Sequence, residues 1–210
     1  MLKAILGEQL GKPTKTIAGW LVSLFFKTRN VVLEENAVRL CNIQPDDTVL
    51  EVGFGPGVGL SEAAKYLTGP KGKLYGIDYS EYMYKMASRN LHSLLEAGRL
   101  CLFHGSVERI PLSDSTVDKV YHCNCYYFWP DLRTGSREIH RVMKPGAVMV
   151  STLYLESIMS CASKGILNSK KWEPEPYMAA LRDTGFIDVR METRQHKGKE
   201  FQAIFATAIK

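Results

Sequence analysis

The stretch Thr48–Leu60, TVLEVGFGPGVGL, constrains this chain more than any other. A short aliphatic and β-branched run ends at Glu51-Val52, and glycines then fall at alternate positions from Gly53 to Gly59. A run of that length bounded by glycines reads as a buried parallel strand breaking into a tight turn. Glycine adopts φ > 0 freely and has no Cβ, so Gly53, Gly55 and Gly57 let a ligand approach the backbone closely. The residues after the turn, Val58 to Leu67, predict a helix whose first amides face that ligand. Strand, glycine turn and helix are the opening unit of a nucleotide-binding α/β domain.

The spacing is G-x-G-x-G-x-G, not the G-x-G-x-x-G of dinucleotide sites, and Glu51 stands two residues before the first glycine. A carboxylate there repels a pyrophosphate and suits an ammonium group, which disfavours an NAD-dependent oxidoreductase. A nucleoside joined to a cationic amino acid describes S-adenosylmethionine. With Glu51 included, the stretch resembles motif I of the class I S-adenosylmethionine-dependent methyltransferases. The resemblance implies a Rossmann-like, doubly wound α/β fold, with a mostly parallel seven-stranded sheet ending in an antiparallel hairpin. It implies cofactor contacts from Glu51, Gly53, Phe54, Gly55 and Gly57.

Further matches follow along the chain. Lys73–Asp78 predicts the second strand, and Asp78, at its C-terminal end, stands where an acid accepts hydrogen bonds from ribose hydroxyls. Ser80 serves as cap for a helix over Glu81–Leu95, and Tyr79, Tyr82 and Met83 stand where an adenine face could be covered. Arg99–His104 predicts a third strand. The segment Gly105-Ser106-Val107-Glu108-Arg109-Ile110-Pro111-Leu112 resembles the family's G-D-A-x-x-L-P-F, with Ser106 in place of the acid that holds the adenine amino group. A hydroxyl accepts more weakly than a charged group, so adenine recognition then leans on the Val107 amide and on apolar packing. Ser115–Asn124 predicts the fourth strand, and its edge at Cys123-Asn124 is where open α/β sheets bind ligands. The aromatic loop Cys125–Asp131 lies over that edge.

A helix is expected over Leu132–Met143, with Lys144-Pro145-Gly146 as its stop and Ala147–Leu153 as the fifth strand. The string from Arg137 to Gly146 matches the family's R-x-L-K-P-G turn, which we read as structural. Tyr154–Trp172 shows no clean period and stands where substrate-specific elements insert in the family. A helix over Pro174–Thr184 and strands over Phe186–Arg194 and Phe201–Ile209, joined at His196–Lys199, complete the chain. The resemblance covers about residues 30–210, with residues 1–30 as an N-terminal segment of a single domain. There, Met1–Lys15 reads as loose or as a short helix. Thr14 or Thr16 caps a helix to about Lys27, whose Trp20, Leu21, Leu24 and Phe25 form an apolar stripe. That stripe packs on the core, pairs with a second copy, or serves as a lid over substrate. Asn30 starts another helix to about Cys41.

With 210 residues, 45% hydrophobic and net charge +5, the chain fits one globular domain and permits an acidic substrate. No dense Lys/Arg cluster calls for nucleic acid, and the longest apolar run, Ile17–Phe26, is about half of a membrane span. Five cysteines without a C-x-x-C or zinc-ligand spacing predict free thiols, no metal site and an intracellular, cytoplasmic setting. The basic, acid-poor N-terminus gives a mitochondrial alternative.

Methyl transfer from a sulfonium needs positioning and exclusion of water more than proton transfer. The residues able to act as a base near the binding edge are His122, Tyr126 and Tyr127, and none of the three is assigned that role. The expectation is a methyltransferase acting on a small-molecule acceptor and releasing S-adenosylhomocysteine. The alternatives are a protein or nucleic-acid acceptor, or a binding protein that keeps the fold without turnover.

Overall fold

The computed structural model describes residues 2–167 and 170–209. Three helices, α1 (Leu2–Gly11), α2 (Ile17–Arg29) and α3 (Val31–Leu40), precede the first strand. There follow β1 (Thr48–Val52), α4 (Val58–Ala63), β2 (Lys73–Asp78), α5 (Glu81–Asn90), α6 (His92–Glu96), β3 (Leu100–His104) and β4 (Val117–Cys123). The chain continues through α7 (Leu132–Val142), β5 (Met143–Leu153), α8 (Leu155–Ser163), α9 (Pro174–Asp183), β6 (Phe186–His196) and β7 (Lys199–Ala208).

The strands form one seven-stranded sheet in the order β3-β2-β1-β4-β5-β7-β6, parallel from β3 to β5 and antiparallel at β7 and β6. The chain runs outward from β1 to β3 and returns to place β4 against β1. That reversal opens a crevice beyond the carboxyl ends of β1 and β4, where open α/β sheets bind ligands.

Helices cover both faces, so β1 is buried from Val49 to Val52. Strand alternation sends Leu50 and Val52 to the face packed by Ile139 of α7 and Leu181 of α9. Val49 faces the other way, toward Leu33 of α3 and Leu60 of α4. Glu51 shares Val49's parity, and α3 is therefore its neighbour.

Several elements depart from the sequence expectations. The helix after the glycine turn ends at Ala63, not Leu67. The helix expected over Glu81–Leu95 breaks at Leu91 into α5 and α6, and Ser80 caps α5 by accepting from the Met83 amide at 3.2 Å. Of the alternatives expected at the N-terminus, the short helix is the one formed, as α1, and Thr16 is the cap, accepting from the Gly19 amide at 3.1 Å to start α2. The unassigned stretch after β5 holds α8. The last two strands are longer than expected and turn on Lys197-Gly198 alone, both at positive φ as a tight two-residue hairpin requires.

Of the three readings of the α2 stripe, packing on the core does not hold: the helix buries its small residues Gly19, Val22 and Ser23 and leaves Trp20, Leu21 and Leu24 about half exposed. The small residues let the helix backbone sit close on its neighbours, which turns the bulky stripe outward. The Phe25 side chain lies outside the described residues. Among the described residues, no helix is long and apolar enough to cross a membrane.

The R-x-L-K-P-G match is structural in the fold as well. Arg141 donates to the carbonyls of Leu112 (2.8 Å) and Ile110 (3.0 Å) and to Asp114 (2.7 Å), while Glu138 accepts from the Ile110 amide (3.0 Å). Lys144 holds Asp118, which in turn accepts from the Thr48 amide at the start of β1. These contacts fix the Gly105–Leu112 loop and β4 relative to β1.

Candidate functional site

The crevice at the switch point is a cavity lined from α1, α3, the glycine turn, β2 and the end of β4. Its floor is the glycine turn. Gly53, Gly55 and Gly57 all lie at positive φ (72°, 51° and 89°), as the alternating glycines predict. Gly55 is the open position, because a Cβ there would meet no atom within 4 Å. The other two serve packing. A Cβ on Gly53 would press on Cys125 at 3.1 Å, and one on Gly57 would strike Leu91 at 2.9 Å.

Asp78 ties the turn to β2. Its Oδ2 accepts from the Gly55 amide and its Oδ1 from the Ser80 amide, both at 2.8 Å. Burial pushes its carboxyl up to about 6, against the pull of those two amides. Tyr79, Met83, Ser106 and Val107 line the same cavity. Tyr79 is exposed and carries the Lys12 ammonium 4.1 Å above its ring, whereas Met83 is buried. Ser106 Oγ accepts from the Glu108 amide at 3.2 Å, a local turn that shapes the loop.

At the far wall, Cys123 and Asn124 end β4. Asn124 sits at φ 48° and holds the corner from three sides. Its amide donates to Thr152 O (2.9 Å), its Nδ2 donates to Asn30 Oδ1 (3.2 Å), and its Oδ1 accepts from the Tyr154 amide (3.2 Å). The end of α1 closes the cavity from above with Leu10, Gly11 and Pro13, and Ser80 Oγ donates to Pro13 O at 2.5 Å.

Two expected contacts lie elsewhere. Phe54 is buried against Gly76 of β2, so its side chain belongs to the core. Glu51 is fully buried behind the cavity wall, where Tyr121 donates its hydroxyl proton to Oε2 at 2.9 Å. Besides Asp78, the acid that lines the cavity is Glu34 of α3, which the sequence reading missed. Its signal was present: Asn30, Leu33, Glu34, Ala37 and Val38 form one helical stripe, and an acid inside such a stripe is out of place.

Glu34 Oε2 and Glu51 Oε1 are buried and have no partner among the described residues. Burial raises Glu34 to about 7, and Glu51 is raised strongly by burial and by the neighbouring Glu34 charge.

The three residues considered as bases occupy other places. His122 points to the opposite face of β4, hydrogen-bonded through Nε2 to Tyr177 OH (2.7 Å) and paired through Nδ1 with Ser151 Oγ (3.2 Å). Burial lowers it to about 3, so it is neutral at ordinary pH. Tyr126 is also buried, stacked on Tyr177 at 4.3 Å, and donates to Trp172 O at 2.6 Å. Tyr127 alone of the three lines a cavity, a second one beside the first. Burial raises the phenols of both tyrosines, so neither is an ionised base at neutral pH.

The second cavity shares Leu10, Asn30, Asn124 and Phe128 with the first and is otherwise lined by Tyr127, Tyr154, Ile158, Cys161 and Leu167, with Arg29 and Ser157. Tyr154 keeps a buried hydroxyl with no partner among the described residues, and Arg29 donates to Ser157 Oγ at 3.1 Å.

A family model described as a methyltransferase domain matches residues 50–151. The chain is 34% identical over 137 residues to the uncharacterized methyltransferase YdaC of Bacillus subtilis (strain 168), covering 65% of this chain and 70% of that one. It is 30% identical over 197 residues to a demethylmenaquinone methyltransferase of Geobacillus sp. (strain WCH70), covering 79% and 81%. The match to the demethylmenaquinone methyltransferase of Geobacillus kaustophilus spans about half (51%) of that protein. Among solved structures, a SAM-dependent methyltransferase from Aquifex aeolicus superposes with TM-score 0.66 over 87% of this chain and 93% of that one, at 23% identity.

Proposed function

Because the chain belongs to the S-adenosylmethionine-dependent methyltransferases, we propose that it passes the cofactor's methyl group to a small-molecule acceptor seated in the second cavity. The observation that carries this reading is the wall shared by the two cavities at Leu10, Asn30, Asn124 and Phe128. A donor on one side and an acceptor on the other meet there without crossing solvent. Relatives named demethylmenaquinone methyltransferases support a small acceptor.

The residues fit the cofactor. The buried, partnerless Glu34 oxygen at the cavity is the acceptor that an ammonium group needs, with the Glu51 carboxyl behind it. Gly55 leaves room for close approach, and Asp78 keeps lone pairs beyond its two amide bonds for ribose hydroxyls. Met83 and Val107 give the adenine an apolar bed, with Tyr79 at its edge and Ser106 as a weaker polar contact. Cys123 and Asn124 flank the methionine part. When bound, S-adenosylmethionine supplies an electrophilic methyl on a sulfonium with a good leaving group.

The chain's own work is to hold and to dry. Leu10, Gly11 and Pro13 cover the cavity as a lid, which excludes water. Asn124, pinned by Asn30 and the Tyr154 amide, keeps the shared wall rigid. His122 takes no part in proton transfer, being neutral and committed to Tyr177. The acceptor brings its own nucleophile, and Tyr154 offers a free hydroxyl to orient one of its polar atoms.

A mass-spectrometric transfer assay tests this reading, with hydroxylated aromatics and small amines as acceptors and tRNA and peptides as controls. We expect a methylated small molecule that Gly55→Val abolishes. Methylation of only tRNA or peptide overturns the small-acceptor assignment.

A further inference from the structure

Glu34 and Glu51 come from different elements and meet around Gly59 of α4. A Cβ on that glycine would stand 2.5 Å from Glu51 Oε1 and 2.6 Å from Glu34 Oε2. These are the two orphaned oxygens, and the two carboxyl groups lie within hydrogen-bonding reach of each other. Two buried carboxylates at that separation do not both ionise, because each charge opposes the other in a low-dielectric site. One proton held between the orphaned oxygens satisfies both.

The groups packed around the pair do not neutralise a second charge. From β4, Tyr121 donates its hydroxyl to Glu51, and Cys123 places its thiol on Glu34. From β2, Asp78 adds a further acid. Asn30 and Asn124 stand at the cavity side without charge.

We propose that Glu34 and Glu51 form a one-proton acid pair that releases its proton to solvent when the ammonium group of the cofactor's amino-acid part binds beside Glu34. The ammonium keeps its own protons and replaces the shared one as counter-ion, so the charge in the site is unchanged. The pair is thus a binding site for one monocation, either a proton or an alkylammonium. This rests on the assignment of the first cavity to S-adenosylmethionine. Its consequence is that the cofactor and hydrogen ions compete, with affinity rising by up to about tenfold per pH unit while the pair remains protonated.

The test is titration calorimetry of the intact protein with S-adenosylhomocysteine, in phosphate and in Tris at the same pH, near about pH 7. These buffers differ in ionisation enthalpy, so a released proton shows as a difference in apparent binding enthalpy. We expect roughly one proton released by the wild type, and less for Glu34→Gln, in which Glu51 keeps its burial but loses the neighbouring acid. We also expect no release with 5′-methylthioadenosine, a cofactor fragment that lacks the ammonium group. That fragment needs no variant, so the result stands even if Glu34→Gln fails to fold. Equal enthalpies in the two buffers for wild type and S-adenosylhomocysteine, or equal release with the fragment, overturn the acid pair. Absence of binding by both ligands instead overturns the cavity assignment on which the pair rests.

Discussion

The backbone amide of Gly55 donates a 2.8 Å hydrogen bond to Oδ2 of Asp78, which makes the glycine turn and the end of β2 one rigid corner. The same carboxylate accepts from Ser80, whose hydroxyl reaches the Pro13 carbonyl after α1. One acid therefore links the floor, the side wall and the cover of the cavity.

Replacing that acid tests the corner. Asp78→Ala removes the acceptor of two buried amides, and cofactor binding weakens by about 1–3 kcal/mol. Calorimetry with S-adenosylhomocysteine reads the loss, and thermal melting reads a lowered Tm. Undiminished affinity removes Asp78 from the site.

The pH dependence of stability follows from the buried acids. Burial raises Glu34 from 4.5 to about 7 and Asp78 from 3.8 to about 6. The folded chain thus keeps protons that the unfolded chain gives up, and this stability is lost as pH rises through those folded values. His122, lowered from 6.5 to about 3, acts with the opposite sign but only below its unfolded value. From about pH 6.5, where His122 no longer opposes the trend, to about pH 7.5 the Tm of the ligand-free protein therefore falls and then levels off, and it falls less in Glu34→Gln. Melting curves that are flat over this window for the wild type contradict the pair.

His122→Phe separates structure from catalysis. The variant loses the 2.7 Å bond to Tyr177 inside the core, at a cost of about 1–3 kcal/mol in stability. Its turnover per folded molecule stays near the wild-type value, measured well below the lowered Tm. A folded variant without turnover would make His122 catalytic.

Tyr154→Phe removes a buried hydroxyl that has no partner among the described residues. Removing an unsatisfied polar group is neutral or stabilising, so Tm holds or rises while KM for the acceptor increases and cofactor affinity does not change. A clear fall in Tm means that the hydroxyl is satisfied in the free protein.

Much of this arrangement is legible in local sequence pattern. The strand-turn-helix unit at Thr48–Leu60 shows because aliphatic runs and alternating glycines are short-range signals, and Asp78 shows because strand ends are marked by the turns beside them. Orientation is less legible. Phe54 stands between two cavity-floor glycines but turns into the core, where the bare Gly76 leaves space for its ring. Gly57 looks like a ligand-approach position, yet its missing Cβ makes room for Leu91, between α5 and α6, a contact 34 residues away.

Parity decides Glu51 and His122. Glu51 pairs with Tyr121 across β1 and β4 and faces α3, whereas His122, one residue on, faces α9. Which helix covers which face is a long-range fact that no local run encodes. Glu34 was within reach, since an acid within an apolar helical stripe calls for a buried partner.

The most direct measurement is titration calorimetry of the purified protein and its Gly55→Val variant with S-adenosylmethionine and S-adenosylhomocysteine, with NAD as control. Gly55 lies at φ 51° with open space before it, so a valine projects into the cavity while the variant's fold is checked by circular dichroism. The account predicts micromolar binding of both cofactor forms by the wild type, none of NAD, and loss of binding in the folded variant. Binding that survives in folded Gly55→Val, or its absence in the wild type, contradicts the placement of the cofactor in this cavity.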